Sequence, residues 1–260
     1  MVAMSGPMAV TAVLLAETAV GGTVVVWVSG VHDAVRRGFL MLSGLILAAC
    51  AWAAWATART AVAQASSPAQ DRMIAALAGF AGLLTLWQVL VIARLRIARV
   101  VGLVAAAVGV VALVALALAR EARTALALLE LLSGAFFLGS TLFGLLLGHW
   151  YLVERRLSNR YMLRSAWLYA AGVGAAIIGA VLAAQNPTPA ALGFSPFLAV
   201  PGFSLLLAGG LVAICALIAA FVWKLAQEGG RSIQAATGMF YLAVIMAFSA
   251  ELSSKIRFFG

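Results

Sequence analysis

Eight apolar runs, most of them about 20 residues long, follow one another along this 260-residue chain with only short polar connections between them. A helix needs about 20 residues to cross a hydrocarbon layer about 30 Å thick. Backbone groups in lipid must bond to one another, so only helices and closed barrels can span it. The runs are continuously apolar and do not alternate, which selects helices. With 65% hydrophobic and 10% charged residues and a mean hydropathy of +1.11, the fold class is an all-α polytopic transmembrane helical bundle.

The whole chain, 1–260, reads as a single integral membrane domain. Spans are expected at 8–30, 39–58, 73–92, 100–119, 124–150, 162–184, 197–223 and 233–252. Arg94, Arg96 and Arg99 mark a tight hairpin between the third and fourth spans, since three arginines are too costly at the bilayer centre. Lys255 and Arg257 fall in the expected C-terminal tail. The connection around Pro187, Pro189, Pro196 and Pro201 is uncharged and too proline-rich for a regular helix, so it reads as a stiff loop.

The formal net charge of +9 follows from basic connections. The odd-numbered connections carry Arg36, Arg37, Arg94, Arg96, Arg99, Arg155, Arg156, Arg160, Arg164, Lys224 and Arg231. The even-numbered ones carry only Arg59, Arg72, Arg120 and Arg123. Positive charge accumulates on the cytoplasmic side, so both termini are expected outside a bacterial inner membrane. Nucleic acid is not needed to explain the charge. Cys50 and Cys215 both sit inside apolar runs and read as small buried residues, not as a disulfide or metal pair.

A short internal match suggests two four-helix halves. Gly22-Thr23 precedes His32, Ser140-Thr141 precedes His149, and each histidine is followed by an Arg-Arg pair. Such spacing would relate spans one to four and five to eight as parallel repeats. His32 and His149 are the chain's two histidines, and this topology places both at the cytoplasmic face. Two neighbouring imidazoles there could ligate a haem b iron. Trp150, Tyr151, Arg155 and Arg156, which follow His149, could instead hold a quinone ring or an acidic lipid headgroup. The competing reading is an ordinary interfacial belt of aromatics and arginines.

Glu17 and Glu130 fall within spans one and five. A carboxylate there must be paired, protonated or facing a wet cavity, so both are candidates for proton handling. Arg120 or Arg123 could neutralise Glu130 from the adjacent turn, whereas Glu17 has no local partner. Gln88 and Glu251 lie near span ends. Ser140, Gly144 and Gly148 form a small-residue stripe on span five that should let another helix approach closely.

No ATP-binding P-loop, zinc-protease, c-type haem or serine-hydrolase motif occurs in a usable context. No polar stretch is long enough to form a soluble domain, so partner subunits are expected to supply any such domain. The leading expectation is a membrane subunit of a redox complex that holds haem b or quinone near the cytoplasmic face. Its competitors are a small-solute or ion transporter using Glu17 and Glu130, and a cofactor-free structural or assembly subunit.

Overall fold

In a computed structural model the described residues are 6–31, 35–62, 66–120, 123–154, 157–185 and 202–259. They form α1 (Pro7–Val28), α2 (Arg37–Val62), α3 (Pro68–Ile92), α4 (Ala98–Ala119), α5 (Thr124–Val153), α6 (Arg160–Gln185), α7 (Phe203–Glu228) and α8 (Ser232–Phe259). Each is long and apolar enough to cross a membrane, and no strand occurs among the described residues. The proline-rich connection lies outside the described residues.

Local chemistry sets several helix ends. Ser67 and Gln70 form a reciprocal capping box at the start of α3, with Pro68 in the first turn, where its missing N–H costs nothing. The α3–α4 turn is as short as its three arginines require. Arg94 occupies the left-handed region there (φ 61°), while Leu95 N–H donates to the Leu90 carbonyl at 3.0 Å.

The helices pack as two four-membered rings. In the first, α1 touches α2, α2 touches α3, α3 touches α4, and α4 returns to α1. In the second, α5, α6, α7 and α8 repeat that order. The rings meet where α1 lies along α5, flanked by α1 against α8 and α4 against α5. Exchanging the halves maps these neighbour pairs onto one another, while α2 against α5 and α6 against α8 are further contacts outside that pattern.

The seam depends on missing side chains. A Cβ on Gly21 would overlap the Ala135 carbonyl, and a Cβ on Gly139 would overlap the Gly21–Gly22 backbone. Lipid provides no hydrophobic force between helices, so such backbone contact is a principal source of attraction. The expected stripe on α5 is also used: Gly144 meets Phe240, Gly148 meets Thr237 on α8, and Ser140 meets Gly172 on α6. Consequently α1 and α5 are the most buried helices, while Leu206, Leu217, Ile178 and Ile245 on the outer helices are exposed. An apolar exterior of this kind suits lipid.

Candidate functional site

A cluster of charges forms on the seam, where the middle of α1 and the first half of α5 meet the end of α4 and the last turns of α8. Glu17 lies ten residues beyond Pro7, about 15 Å along α1 at 1.5 Å per residue. Glu130 lies six residues beyond Thr124, about 9 Å along α5. α8 continues to Phe259, past the expected end at 252, and Ser253, Ser254 and Lys255 stay buried against the bundle. That extension carries Lys255 into the interior. The expectation that Lys255 falls in a C-terminal tail beyond the last span is therefore incorrect.

Lys255 is fully buried, as is Glu17. Its Nζ stands 2.9 Å from Glu17 Oε1, 3.0 Å from Glu130 Oε1 and 3.5 Å from Glu251 Oε2. Arg120, which caps α4, reaches Glu130 Oε2 with Nη1 and Nη2 at 3.3 Å each, so the expected neutralisation of Glu130 from the adjacent turn is present. The pairing follows the exchange of halves. The cation ending α4 meets the acid of α5, and the cation ending α8 meets the acid of α1.

The charges do not balance. Among the described residues three ionised carboxylates face two cations, leaving one negative charge in excess, which one proton would remove. Glu17 is the most exposed to this imbalance. Its Oε1 is paired with Lys255 by proximity, outside hydrogen-bonding geometry, and its Oε2 has no hydrogen-bond partner among the described residues. An unsatisfied carboxylate oxygen away from water is costly, and a proton lowers that cost.

Space at the cluster is tightly set. Gly134, one turn beyond Glu130, faces it, and a Cβ there would stand 2.8 Å from Glu17 Oε1 and 3.0 Å from Glu251 Oε2. A void of about 10 Å3 borders Glu130 and Glu251 between α5, α6, α7 and α8, with Ser133 and Ser254 completing its polar wall. It has room for about one water molecule. The centre of the carboxylate group, where a metal would need to sit, is taken by the Lys255 ammonium. No group of three or more ligating side chains suited to a metal occurs among the described residues.

Of the residues expected with His149, the described Trp150 and Tyr151 turn to different neighbours. His149 Nδ1 lies 3.2 Å from the Leu145 carbonyl, and Nε2 lies 2.5 Å from Tyr241 Oη on α8, so both ring nitrogens are engaged. Trp150 turns to α2, edge-on to Phe39, and donates Nε1–H to Glu154 Oε2 at 3.0 Å. Tyr151 points inward, donating to the Ser158 carbonyl at 2.6 Å and accepting from Met162 N–H at 3.1 Å, and thereby closes the α5–α6 turn. His32, Arg155 and Arg156 lie outside the described residues. An iron at His149 would have to displace Tyr241 or the Leu145 carbonyl.

Reasoning from sequence therefore found Glu17, Glu130 and Arg120 but missed Lys255 and Glu251. Lys255 follows Leu252-Ser253-Ser254, a polar sequence that resembles a helix end. The available signal was that Glu251 and Lys255, four residues apart, continue one face of α8. No protein-family model, curated protein or solved structure matches this chain.

Proposed function

We propose that this chain is a carrier of the bacterial inner membrane that moves a small solute or ion, with the Glu17–Glu130–Glu251–Lys255–Arg120 cluster as its proton-handling centre. One observation carries the reading: a buried cluster, with three acids and two cations among the described residues, lies at the seam between two four-helix rings. Parallel-repeat carriers place their coupling sites at the interface between repeats, where rocking of one half against the other changes access. On the positive-inside orientation both termini, and hence the cluster end, face outward.

In this reading, protonation of Glu17 neutralises the cluster and releases part of the hold of Lys255 on α1. The rings can then shift against each other, and loss of the proton restores the lock. The test uses full-length protein in liposomes loaded with a pH-sensitive dye, with a potassium diffusion potential to balance charge, challenged with a panel of inorganic ions and small metabolites. Proton movement that requires both protein and one panel member, and is lost in Glu17→Gln, supports the carrier. Proton movement no faster than in empty liposomes across the panel overturns it.

The contact between His149 and Tyr241 favours a second reading. Tyr241 is half exposed on the outer face of α8, so opening its contact with His149 would free a donor for a quinone entering from the lipid, in a membrane subunit that anchors soluble redox partners. Purified protein would then retain quinone, and a haem version would also show a Soret band sensitive to His149→Ala. A colourless, quinone-free preparation removes this reading.

A further inference from the structure

At the end of the bundle opposite the cluster, the start of α2 and the α3–α4 turn enclose an open groove of about 570 Å3. Arg36, Arg37 and Arg94 line it, above a floor that includes Leu40, Leu90 and Leu95. We infer that this groove binds the headgroup of an anionic phospholipid, with the arginines on the phosphate and the leucine floor along the glycerol and first acyl carbons.

Charge complementarity identifies the occupant. Among the described residues its lining contains three arginines and no carboxylate. Glu154 reaches Arg36 from outside the groove, its Oε1 3.2 Å from Arg36 Nε, which orients that side chain while leaving it 82% exposed. Guanidinium groups present fixed forks of N–H donors that match phosphate oxygens, and two or three together form a strong phosphate site. A soluble phosphate would not use the leucine floor, whereas a phospholipid fills both parts. Basic pockets between helices near a membrane surface bind acidic headgroups in this way.

Arg94 adds a second indication. Its φ of 61° is a conformation that glycine or asparagine adopts with little strain and a long side chain seldom does. Arg94 N–H bonds the Val91 carbonyl and Leu95 N–H the Leu90 carbonyl, a left-handed helix end that fixes this arginine at the groove.

The test measures lipid binding to purified full-length protein in neutral detergent by native mass spectrometry. Phosphatidylglycerol is titrated against phosphatidylcholine, and inorganic phosphate is offered as a soluble competitor. The variants are Arg37→Gln and Arg94→Asn, the latter chosen because asparagine keeps the left-handed turn. Wild-type protein should retain phosphatidylglycerol in preference to phosphatidylcholine. Each substitution should weaken that binding by about fivefold, and the pair by about 25-fold, from the attraction typical of one basic residue at an acidic membrane surface. If the double variant does not fold, Arg37→Gln alone carries the comparison. Equal binding of the two lipids, or unchanged phosphatidylglycerol binding in the variants, overturns the assignment. Full displacement of lipid by equimolar inorganic phosphate assigns the arginines to a free anion and overturns it as well. None of these outcomes depends on whether the ionic cluster couples transport.

Discussion

Lys255 Nζ lies 2.9 Å from Glu17 Oε1, tying the last turns of α8 to the middle of α1 with no water-exposed surface on either side chain. Two more carboxylates surround the same ammonium, so it holds α1, α5 and α8 together at one point. Charges in such a setting persist only because each compensates another. The contact also joins the first ring to the second, so the ionic cluster and the packing of the two halves depend on each other.

Removing the central cation should be the most damaging single change. Lys255→Met leaves three carboxylates facing Arg120 alone, and breaking a buried pair in this way costs about 3–5 kcal/mol. Thermal unfolding in detergent should show a correspondingly large drop. Adding Glu17→Gln to Lys255→Met should recover part of it, because two of the orphaned charges become one.

Glu17→Gln alone should behave differently. It leaves two acids and two cations, a balanced set, and the amide fills nearly the same space. Stability should stay within about 1 kcal/mol of wild type, the net worth of one typical hydrogen bond, while proton-linked movement in liposomes is lost. A variant that melts early and still moves protons would reverse both expectations.

Gly134 tests the space around the acids. An alanine Cβ would come within 2.8 Å of Glu17 Oε1 and 3.0 Å of Glu251 Oε2, so both carboxylates must shift away from Lys255. Overpacking of this kind costs about 1–3 kcal/mol. Gly134→Ala should lower the melting temperature, with a smaller loss in the Glu17→Gln background, where no Glu17–Lys255 ion pair remains to be pushed apart. Comparing the four proteins gives the coupling directly.

The ring-to-ring contact predicts a stronger effect at Gly139. Any side chain there meets the Gly21–Gly22 backbone, which cannot move without α1. Gly139→Leu should therefore prevent the halves from closing, and size-exclusion chromatography should show aggregated or poorly recovered protein. Gly209→Leu on α7, where a Cβ would meet nothing within 4 Å, is the matched control and should be recovered normally.

The eight long apolar helices were legible in the sequence because a 20-residue apolar requirement leaves little freedom. Glu17 and Glu130 were legible because intramembrane acids are rare, and Arg120 because it is near Glu130 in the chain. Lys255 was not, since its carboxylate partners Glu17 and Glu130 lie on α1 and α5, and only the closure of the second ring brings them together. The His149 environment was illegible for the same reason. Its position on the buried helix α5 could be read, but Tyr241 comes from a face of α8 that local pattern does not specify. Trp150 and Tyr151 are adjacent in sequence yet point to different neighbours, because successive helical residues are about 100° apart.

The measurement closest to the central claim is infrared difference spectroscopy of the protein in lipid bilayers, recorded between acidic and alkaline buffer. A cluster that exchanges a proton should show a carboxylic-acid C=O band that grows on acidification, reverses on return, and disappears in Glu17→Gln. Spectra of wild type and Glu17→Gln that coincide across the pH range, with no reversible carboxyl band from the protein interior, would mean that the five charges only lock the helices together, contradicting a proton-handling centre.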